Sequence, residues 1–138
     1  MIHRDKKLSR NIWLHEIVCK CGCDFGWHPA DMDPETIRGV QFIRDLVNAN
    51  HPRRANEIPV IIKSGCRCPE HNRNERGVKN SQHLKCCACD IRMPRIGYAE
   101  LFEAAKKFPN FFYGGIGVYR SGWIHVDTRG YTARWSGS

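Results

Sequence analysis

The order of helical and β-rich segments is the feature of this sequence that most restricts its fold. After Pro34, apolar residues recur at helical spacing, and this helix is expected to end near residues 48–50. Two β-rich runs between residues 115 and 129 are joined at Arg120-Ser121-Gly122, which is a hairpin signal. Because helices precede a mainly antiparallel sheet, the order predicts an α+β fold, with a small antiparallel sheet and flanking helices.

Shorter patterns predict the remaining elements. They are a short helix over 12–17, a loop over 19–33, a strand over 59–63, a polar loop over 69–82, a strand over 88–93 and a helix over 98–107. The loop over 69–82 is long for a compact domain, and loops of that length usually carry function.

Length and charge limit the class of protein. The 138 residues fit one domain spanning residues 1–138. A net charge of +8 would attract polyanions, but the basic residues are scattered and no nucleic-acid-binding motif is present, so no nucleic-acid partner is expected. No apolar run approaches the roughly 20 residues that span a bilayer, and no signal peptide is visible at the basic N-terminus. We therefore expect a monomer without a membrane partner.

Eight cysteines are too many to be incidental in a chain of this size. They form three groups: Cys19, Cys21 and Cys23; Cys66 and Cys68; and Cys86, Cys87 and Cys89. The first two groups together could form a structural zinc site or one or two disulfides. The third group could compete for a metal, but we favour the interpretation that its members are small buried residues or form a disulfide.

Two histidines and a carboxylate form a candidate metal site. Neutral imidazoles with one carboxylate are the ligands of a catalytic zinc, whose fourth position stays open to water. His83 lies in the polar loop and Asp90 on the following strand, so the turn between them can bring both side chains together. His125 could reach the same point from the closing hairpin. The spacing alone is also common by chance.

A family resemblance adds to this pattern. Ser81-x-His83-x6-Asp90, followed by Trp-Ile-His125-Val-Asp127, resembles peptidase family M15 in its His-Val-Asp branch, which includes zinc D-alanyl-D-alanine carboxypeptidases, L-alanyl-D-glutamate endopeptidases, vancomycin-resistance dipeptidases and phage endolysins. Further similar segments are Leu8 to Cys21, Ser64 to Asn72, Gly115 to Tyr119 and Ala133 to Trp135. The resemblance implies a zinc-dependent peptidase acting on bacterial peptidoglycan peptides. It also implies a compact α+β fold shared in outline with the Hedgehog signalling domain.

The resemblance also implies roles for single residues. His83, Asp90 and His125 become the ligands of Zn²⁺. Arg67 becomes a catalytic and substrate-binding residue, since a guanidinium can pair with a carboxylate or stabilise an oxyanion. Ser81 is expected beside the ligand and the substrate, as a turn residue rather than a nucleophile.

The chain departs from the family pattern at several positions. Where related enzymes usually place Asp or Glu, three residues before the last histidine, this chain has Gly122. Asp127 shares the strand face of His125, so it could be the catalytic base, orient a ligand histidine, or pair with Arg129. Cys86 stands at the position of a family glycine, where a β-carbon resists some backbone geometries.

The predicted function is therefore zinc-dependent hydrolysis of peptidoglycan peptides, as a D,D-carboxypeptidase or an endopeptidase of the phage endolysin kind. Two alternatives stay open: a catalytically impaired, zinc-containing wall-binding module, and a thiol-rich metal-binding protein. With no signal peptide visible, the enzyme is expected to reach the bacterial cell wall by phage release or by another export route.

Overall fold

The computed structural model describes residues 4–28 and 31–137, so residues 29 and 30 of the predicted loop lie outside the described part. In chain order the elements are β1 (Lys7–Ser9), β2 (Ile12–Trp13), α1 (Leu14–Ile17), α2 (Pro34–Ala49), β3 (Ile61–Ser64), α3 (Pro69–Asn74), a 3-10 helix (Gln82–Lys85), β4 (Ala88–Arg92), α4 (Tyr98–Lys106), α5 (Pro109–Phe112), β5 (Gly115–Tyr119), β6 (Ile124–Asp127) and β7 (Ala133–Gly137).

A five-stranded sheet in the order β3-β4-β6-β5-β7 forms the centre of the fold. Its neighbouring strands are antiparallel except β5 and β7, which run parallel. The strands β1 and β2 form a separate two-stranded antiparallel sheet. The α+β prediction is confirmed, and the sheet is mixed through its edge strand β7.

Helix α2 forms where the apolar spacing predicts it. The Asp33 carboxylate accepts a hydrogen bond from the Glu35 backbone N–H at 3.3 Å, and Pro34 occupies the first turn, where its missing N–H costs nothing. The helix ends before Asn50, within the predicted range. Its apolar stripe, which includes Val40 and Ile43, is fully buried.

The alternation of side chains across the sheet separates a core face from a polar face. Ile91 on β4, Ile116 on β5 and Ile124 on β6 are fully buried on the face that α2 and α4 cover. Because successive strand residues point to opposite faces, Asp90 and His125 lie on the other side. The hydrophobic core thus fixes which residues face the polar side.

Three element predictions need correction. The segment 12–17 begins as a strand, and only Leu14–Ile17 is helical. The prediction of a polar loop over 69–82 is wrong in its first half, because Pro69–Asn74 is a helix. The Cys68 sulfur caps the first turn of this helix by accepting a hydrogen bond from the His71 N–H at 3.3 Å. The strand expected over 59–63 is Ile61–Ser64. Among the described helices, none has the length and apolar character needed to cross a bilayer.

Candidate metal centre

The strand register brings two of the predicted ligands face to face. Asp90 on β4 pairs directly with His125 on β6, at the middle of the sheet. The carboxylate oxygen Oδ1 of Asp90 lies 3.0 Å from Nδ1 of His125. Antiparallel partners at such positions have neighbouring β-carbons, so the backbone alone sets this approach.

His83 completes the group from the 3-10 helix. The Ser81 hydroxyl caps this helix by accepting the His83 backbone N–H at 3.2 Å. Nδ1 of His83 donates to the Gly65 carbonyl at 2.6 Å, so the other ring nitrogen, Nε2, faces Asp90 and lies 3.2 Å from its Oδ2. The side chains of His83, Asp90 and His125 each offer one ligand atom, all within 4.8 Å of one another.

The second nitrogen of His125 is held from the opposite side. Nε2 donates to Oδ2 of Asp127 at 2.6 Å, which leaves Nδ1 turned toward Asp90. Burial lowers the pKa of His125, but the hydrogen bonds to Asp127 and then Asp90 outweigh burial and raise the pKa. The protonated imidazole is therefore favoured between the two carboxylates, and Nδ1, which faces Asp90, is the nitrogen that could bind a cation in place of a proton.

Asp90 is ionised for the same reason. Burial raises the pKa of its carboxyl group, but hydrogen bonds from His125 and His83 have a larger effect in the opposite direction. The pKa of Asp90 is therefore well below its usual range. Nη2 of Arg67 donates to Oδ2 of Asp90 at 3.0 Å. The remaining guanidinium nitrogens of Arg67 are fixed by Ser64, at 2.8 Å from Nε, and Asn72, at 3.2 Å from Nη1.

A cleft of about 590 Å³ opens over these side chains. Its described lining is made of Arg67, Glu75, Arg76, Gly77, Val78, Asn80, Ser81, Gln82, His83, Asp90, Tyr119, His125, Arg129, Tyr131 and Trp135. The volume is within the usual range for small-molecule and peptide sites. Every predicted site residue lines the cleft except Asp127.

Asp127 is fully buried beneath the cleft. Its carboxylate accepts from Nη2 of Arg129 at 2.7 Å and from the Gly115 N–H at 2.9 Å, besides the bond from His125. Burial raises its pKa, but the hydrogen bonds from His125 and Arg129 hold the pKa far below its usual range. A β-carbon at Gly115 would lie 2.3 Å from Oδ2 of Asp127, so only glycine leaves room for this carboxylate.

One wall of the cleft is aromatic and lies beside His125. Trp135 on β7 lies over Gly117, where an added β-carbon would come within 2.3 Å of the indole Nε1. The Trp135 Nε1–H donates to the Tyr119 hydroxyl at 3.0 Å, and the indole centroid lies 5.0 Å from that of His125. The guanidinium of Arg129 sits 5.1 Å from the Trp135 ring.

Comparison with known families shows which family the chain belongs to. The family model described as Peptidase M15 matches residues 10–127, which is most of the chain. The chain belongs to peptidase family M15. Comparison with curated proteins gives no match. Members of the M15 family are zinc metallopeptidases, and the chain carries a His-Asp-His group that could hold the metal.

The M15 glycine position is occupied here by Cys86 without loss of the turn. Cys86 ends the 3-10 helix in the left-handed conformation, at φ 54° and ψ 31°. A residue with a β-carbon adopts this conformation at a cost of roughly 1–2 kcal/mol. Cys86 forms a disulfide with Cys66, so the proposed grouping of Cys66 with the N-terminal cysteines is wrong.

The other cysteines beside the M15 ligands do not join the His-Asp-His group. Cys89 is fully buried on the core face, and burial raises the pKa of its thiol. Cys87 is half-buried, and its sulfur lies 3.3 Å from the Gln82 side-chain oxygen. The favoured interpretation of this third group, small buried residues or a disulfide, agrees with the structure.

Sequence reasoning missed the aromatic wall of the M15 cleft. In the sequence, Trp135 stands out only as part of a segment similar to the family, and no pattern there predicts strand β7. The available signal was the pair Gly115 and Gly117, whose missing side chains on one strand face indicate close approach by other groups. Gly122, at the position of the usual family carboxylate, is a hairpin-turn residue with φ 101°.

Proposed function

We propose that the protein hydrolyses peptide bonds in bacterial peptidoglycan peptides with a zinc ion held by His83, Asp90 and His125. The observation that carries the proposal is the anchoring of both histidines: each has one nitrogen fixed by an acceptor, and the other turned toward Asp90. Such outer partners fix the tautomer and the ring orientation that a metal ligand needs.

The donor set fits Zn²⁺. Two imidazole nitrogens and one carboxylate are a common catalytic set, and they lie at the base of an open cleft with room for water and substrate. A bound zinc ion would supply Lewis-acid chemistry, lowering the pKa of a water molecule and polarising the scissile carbonyl.

The remaining residues of the chain would position the reactants. Arg67 keeps Asp90 in place through Nη2, and the residue lines the cleft, where an N–H group not used by Ser64, Asn72 or Asp90 can donate to a substrate oxygen. Asp127 holds His125 in orientation rather than meeting substrate, since it is fully buried and does not line the cleft.

Glu75 is the best-placed carboxylate to accept a proton from water. Apart from Asp90, it is the one carboxylate among the described residues that line the cleft. Its side chain is half exposed, and its Oε1 lies 3.8 Å from Nε2 of His71. We propose Glu75 as the general base, in place of the Asp or Glu that related enzymes usually have at the position of Gly122.

Charge and shape favour an acidic peptide as substrate. Arg67, Arg76 and Arg129 line the cleft, and the Trp135 wall can pack against peptide and sugar groups. Peptidoglycan stem peptides carry free carboxylates, which match these cations. The net charge of +8 would also favour adhesion to anionic wall polymers. The proposed place of action is the bacterial cell wall, with release of the kind known for phage endolysins.

A wall-binding module without catalysis is the second candidate. It is favoured by Gly122, which cannot move a proton, and by the complete burial of Asp127. In this case zinc would be retained for structure, and muropeptides would be bound without being cut.

Digestion of purified peptidoglycan separates the two candidates. The protein is incubated with wall material with and without a chelator, and the products are identified by mass spectrometry. We expect new peptide termini that disappear with chelator and return with added zinc. The His83→Ala and His125→Ala variants should lose cleavage and the zinc ion of this site, while His51→Ala, which removes an imidazole paired with Glu100 away from the cleft, should lose neither. Binding to the wall material without any cleavage would contradict the proposed peptidase activity.

A further inference from the structure

Four thiols converge at a second place, away from the cleft. They belong to Cys19, Cys21 and Cys23 in the segment after α1, and to Cys68 at the start of α3. Each is free of a disulfide, and none of these four residues lines the cleft. The peptidase reaction proposed above makes no use of them.

The spacing of these sulfurs is that of ligands around one ion. All four sulfurs lie within 4.8 Å of one another, with 3.4 Å between those of Cys19 and Cys21 and 3.7 Å between those of Cys21 and Cys68. Tetrahedral zinc with Zn–S bonds of about 2.3 Å requires sulfur separations of about 3.8 Å. A small adjustment would therefore close the set around a single zinc ion.

The backbone is arranged to support negative sulfurs. The Cys68 N–H donates to the Cys19 sulfur at 3.4 Å, and the His71 N–H donates to the Cys68 sulfur at 3.3 Å. Hydrogen bonds from N–H groups stabilise a thiolate relative to a thiol, and thiolates are the form that binds metal.

The loop that carries three of the thiols is folded back on itself. Gly22 has a φ of 89°, a left-handed conformation that places Cys21 and Cys23 on either side of a sharp turn. The Cys19 N–H then donates to the Phe25 carbonyl at 3.0 Å and closes the segment. The local geometry of the chain thus brings the thiols together without requiring a metal.

We propose that Cys19, Cys21, Cys23 and Cys68 bind a structural zinc ion. A four-thiolate set has no open position, as is usual for structural rather than catalytic zinc. The ion would join the segment 19–25 to the start of α3. Because Arg67 directly precedes Cys68, the same ion would hold the backbone that carries this cleft residue. This proposal does not depend on the peptidase activity.

Metal content measured on the whole chain tests the site. We expect two zinc ions per wild-type chain, one in the His83→Ala/His125→Ala double variant and one in a Cys21→Ser/Cys68→Ser double variant. Cys87→Ser is the matched control, since Cys87 is a free thiol outside the cluster, and it should retain two. X-ray absorption of the histidine double variant should show a shell of sulfur only, at about 2.3 Å.

A second experiment uses the wild-type protein and needs no variant. When loaded with cobalt in place of zinc, it should show intense thiolate-to-cobalt charge transfer in the near ultraviolet, which the imidazole and carboxylate ligands alone do not produce. Mass spectrometry of the alkylated native protein should find no disulfide among the four. A histidine double variant without zinc, a shell without sulfur, or a Cys21–Cys68 disulfide would each overturn the site.

Discussion

Nε2 of His125 donates to Oδ2 of Asp127 at 2.6 Å, and both side chains lie on the same face of β6, two residues apart. Arg129, which also lines the cleft, donates to the same carboxylate oxygen from Nη2 at 2.7 Å. The carboxylate is thus between an imidazole and a guanidinium, with no surface exposed to the cleft. This geometry makes Asp127 a positioning residue in our proposal.

Replacing Asp127 with Asn tests that role. The amide keeps the shape but loses the charge that orients His125, so we expect zinc affinity to fall by roughly 10–100-fold, with turnover falling alongside it. Zinc affinity, by competition with a chelator, and turnover are measured on the same preparation. Asp45→Asn, on α2 beside Arg10, is the control. Normal affinity with turnover reduced by roughly 10²–10⁴-fold would instead make Asp127 the base.

The acid stability of the metal-free protein depends on the same carboxylate. The pKa of Asp127 is lower in the folded protein than its unfolded value of 3.8, because His125 and Arg129 stabilise the ionised form. The ionised carboxylate therefore stabilises the folded protein at pH values above 3.8. This stabilisation is lost as the pH falls from the unfolded pKa toward the folded pKa. Urea unfolding of metal-free protein between pH 6 and pH 2, in ~1-unit steps across this window, should show a steeper loss of unfolding free energy for wild type than for Asp127→Asn. Equal slopes for the two proteins would show that ionised Asp127 does not stabilise the folded state.

Glu75→Gln should separate catalysis from metal binding. The glutamine is nearly isosteric but cannot accept a proton from water, so turnover should fall by roughly 10²–10⁴-fold while zinc content stays normal. Glu70→Gln is the matched control, because Glu70 is exposed on the neighbouring helix and does not line the cleft. If both variants turn over like wild type, the base lies elsewhere.

Arg67→Lys should impair hydrolysis despite keeping the charge. Three nitrogens of the guanidinium each have a fixed partner, at Ser64, Asn72 and Asp90, and one ammonium cannot reach all three. We expect kcat/KM to fall by about 10²-fold, comparable to losing one oxyanion donor. The exposed Arg73→Lys provides the comparison on α3. Wild-type kinetics for the Arg67→Lys variant would remove Arg67 from the substrate site.

Gly117→Ala tests the aromatic wall. The new methyl group would lie 2.3 Å from Nε1 of Trp135, so the indole must shift from its present position. We expect KM to rise more than kcat falls, together with a loss of about 1–3 kcal/mol in unfolding free energy from overpacking. Gly97→Ala is the matched control, since an added methyl there meets nothing within 4 Å. Unchanged KM would show that Trp135 does not contact substrate.

Local patterns were sufficient to predict α2, β4 and β6, because the period of the apolar residues specifies both the element and its buried face. They also placed Asp90 and His125 on strands, and the antiparallel register then brought the two side chains together. The helix α3 was missed because its cap is Cys68, a residue outside the usual Ser, Thr, Asp and Asn set.

Contacts between distant segments were not predictable in this way. Two such contacts are the parallel pairing of β7 with β5 and the disulfide between Cys66 and Cys86. In both, the local sequence of one segment does not indicate which other segment it contacts. The role of Asp127 stayed open for the same reason. Strand alternation puts Arg129 on its face, but only the folded chain shows the Gly115 N–H and the burial that keep this carboxylate from the cleft.

The Cys66–Cys86 bond also bears on how the molecule would withstand digestion. The stretch from Arg73 to Arg76 and the residues Val78 to Asn80 are exposed, and they offer basic cleavage sites for trypsin-like enzymes. A single cut there would fall inside the covalent ring that the sulfurs close, so both fragments would remain tethered on either side of the break. Arg67 and His83, which lie in that ring on opposite sides of the exposed stretch, would stay attached to one another through the nick.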